Sequence, residues 1–239
     1  MAAMKSTILS VKNLSLNYGK SFSLNNISFD LTKGEIIGLI GPNGSGKTTL
    51  MEGLVGLLPA ESRVLYKNDH IVEIDELKDL FFYIPDGVRP YSLLPVKSVL
   101  EFYKKIFQRN ESYLNEVINK LELDRVKNKL VSQLSKGFAR RLLLAIGLLS
   151  NQPILVLDEP LDGFDIKQLQ KIVPILREEA SKGRTLFVCI HQLADAERIC
   201  DQFILLKNGN IISQGSKEEL LLKAKLNTGS IEEVFLALT

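Results

Sequence analysis

The sequence predicts an α/β fold, in which a mainly parallel sheet is flanked by helices, preceded by an antiparallel β region and interrupted by a helical insert. Three observations lead to it. Short apolar runs recur at 36–40, 81–84, 154–157, 186–190 and 203–206 and alternate with helical stretches, the pattern of a doubly covered sheet. The first thirty residues show alternating periodicity instead, and the segment from about 96 to 151 shows helical periodicity with no strand-like run.

In chain order, residues 8–30 carry alternating runs (Ile8-Leu9-Ser10-Val11, then Ser23 through Phe29) broken by Asn13, Tyr18-Gly19 and Asn25-Asn26. Turn residues between alternating runs predict antiparallel hairpins. Ile36-Ile37-Gly38-Leu39-Ile40 is nearly unbroken and reads as a strand buried on both faces. Val99, Phe102, Tyr103, Ile106 and Phe107, then Leu114, Val117, Ile118 and Leu121, recur at helical spacing. Beyond Asn210 a short strand and two short helices, 217–225 and 231–238, form a tail.

A chain of 239 residues buries about 70–75% of its unfolded surface, so one sizeable core needs no metal or disulfide staple. Hydrophobic residues make up 45% and charged residues 24%, which excludes disordered, collagenous and coiled-coil classes. The longest apolar run, 142–149, falls far short of the roughly 18 residues that cross a bilayer, and residues 1–15 hold no secretory pattern, so a cytosolic address is expected. Cys189 and Cys200 lack metal or redox spacing and read as buried thiols, and His70 reads as surface. A net charge of +2 argues against a general nucleic-acid binder. Residues 95–141 nonetheless hold 11 basic side chains against 5 acidic ones, a solvated helix surface or one turned toward something anionic.

Directly after the buried strand stand Gly41-Pro42-Asn43-Gly44-Ser45-Gly46-Lys47-Thr48, followed by Thr49 and a stretch able to continue as a helix. This is G-x-x-x-x-G-K-[ST] between strand and helix, the setting that gives the motif meaning. Glycines let successive N–H groups point inward, and the helix start adds its positive end, so an oligophosphate meets donors and field together. Lys47 is expected to reach the β and γ phosphates of ATP, and Thr48 to ligate Mg²⁺. Ile154-Leu155-Val156-Leu157-Asp158 supplies the carboxylate that a neighbouring strand must bring to the magnesium shell. Glu159 points the other way from extended chain and is expected to face an attacking water.

With these motifs in order, the sequence resembles the nucleotide-binding subunit of an ATP-binding cassette (ABC) transporter over nearly its whole length. Leu134-Ser135-Lys136-Gly137-Phe138, beginning 24 residues before Asp158, resembles the family signature L-S-G-G-Q. The resemblance implies an ABC ATPase fold around a P-loop core, with ATP and Mg²⁺ as ligands. It also implies that Ser135, Lys136 and Gly137, at the start of a helix, face the γ-phosphate held by a second ATPase subunit, a homodimer or a close paralogue. Tyr18 corresponds to the aromatic that stacks on adenine, Asp162-Gly163-Phe164-Asp165 to the loop that crosses the dimer interface, and His191 to the histidine that contacts the γ-phosphate. Catalysis is thereby expected from Glu159, His191 and Lys47, and metal binding from Thr48, Asp158 and Asp86. Two departures stand out. Asp86 follows Tyr83-Ile84-Pro85 where the family usually has glutamine; it is expected to keep reach of the metal but to repel a bare γ-phosphate, so that restoring glutamine would raise activity or coupling. Lys136 and Phe138 replace a glycine and a glutamine of the signature; the lysine could assist phosphate binding.

The expected organisation is a single ABC ATPase domain: 1–34 antiparallel β, 35–86 and 152–215 the core, 87–151 the helical subdomain, and 216–239 a C-terminal helical tail. The expected function is ATP hydrolysis in a head-to-tail dimer driving an integral membrane subunit, with no nucleic-acid partner, at the cytoplasmic face of the inner or plasma membrane. Residues 231–239 resemble the tails of export-type (ABC-2-like) subunits. The alternatives are a soluble ABC-type ATPase unconnected with transport and a nucleotide-binding regulatory module with impaired hydrolysis.

Overall fold

The computed structural model describes residues 6–18, 22–60, 62–67 and 70–239, leaving aside the side chains of Tyr18 and Phe22. Two sheets organise them. The first is antiparallel: β1 (Thr7–Tyr18) pairs with β2 (Phe22–Thr32) on one side and with β4 (Ser62–Lys67) on the other, and β5 (His70–Ile71) closes the edge. The second runs β10-β9-β3-β8-β7-β6, comprising β3 (Ile36–Ile40), β6 (Phe81–Ile84), β7 (Ile154–Asp158), β8 (Thr185–Cys189), β9 (Gln202–Lys207) and β10 (Asn210–Gly215). All its pairings are parallel except β10 with β9.

The period-2 alternation of the central strands feeds two cores. Ile37 and Leu39 of β3, Val156 of β7 and Phe187 of β8 face the antiparallel sheet and α1 (Lys47–Leu54). Ile36, Ile40, Leu155, Leu157 and Val188 face the helical side. Continuous apolar runs are therefore required at these strands, since both neighbours of every residue are buried. Phe29 stacks on Phe187 with centroids 5.5 Å apart, and the Thr185 hydroxyl donates to the Thr32 carbonyl at 2.9 Å, tying the sheets together. One expectation needs correcting. The segment 35–86, assigned to the core, is divided, because β4 and β5 leave it to join the antiparallel sheet beside β1.

The helical side holds α3 (Val96–Ile106), α4 (Glu111–Lys120) and α5 (Lys136–Leu149). After β7 comes α6 (Ile166–Ser181), and after β8 comes α7 (Leu193–Ile199); α8 (Lys217–Lys223) and α9 (Ile231–Leu238) end the chain. α2 (Leu77–Leu80) leads into β6. The far end of α5 is clamped by two arginines: Arg109 donates to the carbonyls of Leu149 and Ser150, and Arg184 to that of Gly147 and to the Ser150 hydroxyl. These bonds satisfy C-terminal carbonyls that a helix leaves without intrahelical partners. They also fix α5, whose opposite end carries the signature residues.

Candidate active site

The loop after β3 is built by close approach and unusual backbone. A Cβ on Gly41 would lie 2.2 Å from the Leu206 carbonyl oxygen, so only glycine fits there. Gly46 has φ 102, a conformation glycine adopts without strain, and it starts α1 with no side-chain cap. The Lys47 ammonium folds back to donate to the carbonyls of Gly41 (2.8 Å) and Pro42 (3.1 Å). Ser45 Oγ is buried without a hydrogen-bond partner among the described residues. An uncapped helix start, a lysine held only by exchangeable carbonyls and an orphan hydroxyl fit a triphosphate.

Across from the loop, Thr48 Oγ1 donates to Asp158 Oδ2 at 2.8 Å. A hydroxyl and a carboxylate converging at the loop mouth make an oxygen donor set suited to Mg²⁺, and these two residues would hold it. Ligating atoms of Asp158, Glu159 and Cys189 lie within 4.8 Å of one another, though a buried thiol suits a hard cation poorly. Burial and the charges of Asp158 and Glu159 push the Cys189 thiol far up, so its sulfur keeps the proton.

Glu159 sits just past the strand end with φ 51, an uncommon conformation for a side chain of this size. Its environment explains how that is held. Its N–H donates to the Cys189 carbonyl at 3.1 Å, one carboxylate oxygen accepts from the His191 N–H at 3.1 Å, and the other accepts from Cys189 Sγ at 3.6 Å. Burial, aided by the neighbouring Asp158 charge, raises its pKa above the ordinary carboxylate value, the direction a proton acceptor needs. The exposed His191 side chain, with Asp86, Glu159 and Asp162, lines a cavity of about 320 Å³. A cavity sharing Asp86, Glu159 and Cys189 with it continues along Asn43, Gly44, Gly46, Lys47, Thr48 and Thr49.

The structure thus gathers the phosphate loop, Asp158, Glu159, Asp86 and His191 into one cleft. It does not bring Ser135 or Gly137 there, while Lys136 reaches the cleft's edge through Asp162. Ser135 and Gly137 line a separate depression with Glu122, Arg125 and Asp165. Ser135 accepts from the Phe138 N–H at 3.4 Å, capping its own helix. Lys136, expected to assist a phosphate, instead pairs with Asp162 at 2.6 Å and lies across the Gly163 turn. Phe138 packs under Arg141, whose guanidinium lies 5.4 Å from the ring centre. Tyr18 ends β1, and its side chain, expected against adenine, lies outside the described residues.

Two residues that sequence reasoning left without a role belong to this region. Cys189 touches the Glu159 carboxylate, and Arg140 donates to Asp86 Oδ1 at 2.5 Å while its side chain is 5% exposed. The signal for the arginine was visible: Arg140 and Arg141 directly precede the wholly apolar stretch from Leu142 to Leu149, and a buried guanidinium needs a countercharge.

Comparison with known proteins adds the lineage. The family model described as ABC transporter matches residues 24–162. Nod factor export ATP-binding protein I of Rhizobium etli is 30% identical over 234 residues, covering 90% of this chain and 70% of that protein. Petrobactin import ATP-binding protein YclP of Bacillus subtilis is 26% identical over 238 residues, covering 95% of this chain and 92% of its own length. A solved structure described as the ATP-binding subunit of an ABC transporter matches with a TM-score of 0.87 at 27% identity, covering 97% of this chain and 99% of that one.

Proposed function

The chain belongs to the ABC transporter family of ATP-binding proteins, and from that premise we propose that two copies hydrolyse ATP head to tail to drive export through a separate integral membrane subunit. One observation carries the proposal. The cleft holds a phosphate loop, a metal-binding pair and a half-buried carboxylate, while the signature end of α5 opens elsewhere on the same chain. A second copy supplies that missing side.

Within the cleft, Lys47 leaves the Gly41 and Pro42 carbonyls and turns to the β and γ phosphates. Thr48 and Asp158 would hold Mg²⁺, which would supply positive charge to the phosphate oxygens. Glu159 orients a water in line with the bond between the γ-phosphorus and its bridging oxygen. The water oxygen bonds to phosphorus, the bridging bond breaks toward ADP, and the water proton passes to the Glu159 carboxylate. His191 stands beside Glu159 to contact the γ-phosphate, and Ser135 of the second copy closes over it. Hydrolysis then loosens the association that ATP made, turning turnover into movement.

The membrane partner docks on the helical side, where Tyr91, Phe102 and Tyr103 form edge-to-face contacts and Leu93 stands 79% exposed. Exposed apolar side chains gathered in this way suit a protein interface. Among the described residues no helix is long and apolar enough to cross a membrane, so the partner carries the pathway. The resemblance of residues 231–239 to export-type tails, with the similarity to a Nod factor export ATP-binding protein, supports the outward direction. Glu159→Gln should slow turnover by about 10²- to 10⁴-fold, keep MgATP binding and trap a dimer visible by light scattering. A monomer under saturating MgATP would remove the dimer from this account. Flux of cargo out of vesicles holding the purified complex tests direction.

A further inference from the structure

We propose that Arg140 is a positioning residue that makes an aspartate compatible with ATP at position 86, by holding that carboxylate in a neutral pair beside the triphosphate cleft. The inference rests on the reading of the cleft as an ATP site. Asp86 lines both connected cavities, next to Glu159 and the phosphate loop. A free carboxylate there would face the γ-phosphate, the most negative part of the ligand, across the same cleft. Its Oδ1 is instead held by Arg140 NH2 at 2.5 Å.

The two partners are placed very differently. The Asp86 side chain is 51% exposed and the Arg140 side chain 5%, so the arginine depends on the aspartate more than the reverse. Arg140 NH1 is buried with no hydrogen-bond partner among the described residues, and Asp162 is close enough to feel the guanidinium charge. A buried guanidinium so sparsely bonded is costly unless a carboxylate neutralises it. Asp86 comes from the loop after β6 and Arg140 from the first turns of α5, so the pair also joins the cleft wall to the signature helix. Lys136 and Asp162 make a second link from the same helix start to the loop after β7. Restoring glutamine at position 86, which the sequence alone recommended, would leave the guanidinium without its countercharge.

The test compares MgATP with MgADP, because only the former presents a γ-phosphate. Arg140→Met removes the buried charge, keeps an unbranched chain and exposes the bare carboxylate. It should raise the Kd for MgATP about tenfold while leaving that for MgADP within about twofold, both measured by calorimetry with turnover blocked by Glu159→Gln. Adding Asp86→Asn to Arg140→Met should return MgATP affinity to within about threefold of the parent. Arg140→Gln serves the same comparison should the methionine variant melt earlier than the parent. Equal weakening of both nucleotides, no rescue by Asp86→Asn, or unchanged MgATP affinity in a variant that melts normally would each overturn the proposal. Failure of the parent itself to bind MgATP would overturn the ATP site instead.

Discussion

Two helix starts on this chain carry the motifs read as anion sites, and they differ in capping and burial. α1 begins at Gly46 with no side-chain cap, next to buried Ser45 and Lys47, and its first turns pack into the core through Leu50 and Met51. α5 begins at exposed Ser135, which caps it through a long 3.4 Å contact, and its far end is anchored by Arg109 and Arg184. In the proposed account the first start is a finished receptor for a phosphate. The second satisfies itself until something better arrives. In the proposed account one chain binds and the acting unit needs a second, and the loop cleft and the depression at Ser135 are lined by different residues.

Substitutions at the two starts should separate these roles most sharply. Lys47→Ala removes the only charge on the loop that can follow the phosphates and should cut turnover by about a hundredfold or more, with MgATP binding to the monomer falling alongside. Ser135→Ala should leave monomer binding intact and abolish nucleotide-driven association in the Glu159→Gln background, at a cost of about 1 kcal/mol in α5 stability from the lost cap. If Ser135→Ala weakened MgATP binding to the monomer as much as Lys47→Ala does, the division between the two starts would fail.

Those starts were legible in sequence because each follows from local pattern. A glycine-rich turn after Ile36-Ile37-Gly38-Leu39-Ile40 can only be a tight loop at a strand end, and the burial of that strand on both faces follows from its unbroken apolarity. The missed pieces are non-local or weakly patterned. β4 shows one fully buried side chain, Leu65, so its place beside β1 left almost no trace in the letters. Asp86 and Arg140 are 54 positions apart, and nothing in either neighbourhood says that they meet. Lys136 was read toward a phosphate because its family position points there, whereas the turn at Gly163 brings Asp162 within reach first.

Cys189 tests how rigidly the finished receptor is held. Its thiol meets one Glu159 oxygen and the His191 N–H the other, so the carboxylate is gripped from both sides by the end of β8. Cys189→Val keeps the volume and loses the donor, and should lower kcat by about three- to tenfold with KM unchanged, whereas Cys189→Ser keeps a donor and most of the rate. In the Glu159→Gln background the valine variant should make no further difference to kcat. A further loss there would show that the side chain supports the fold and not the base.

The smallest effect concerns how the second start is held from outside. Arg141, 6% exposed, donates to Glu122, which also pairs with Lys171, and these partners push the Glu122 carboxyl down to about 2. A depressed carboxyl stabilises the fold above its unfolded value, near 4.5, and that contribution disappears as pH falls from there toward 2. Glu122→Gln should therefore lower Tm near neutral pH by about 2–4 °C, for a loss of no more than about 1 kcal/mol at a partly exposed group. The gap from the parent should narrow as the melt is repeated from pH 6 to pH 2. A gap of constant size would mean that Glu122 supports α5 by shape alone, and that the signature end is steadied by packing, as α1 is, and not by charge.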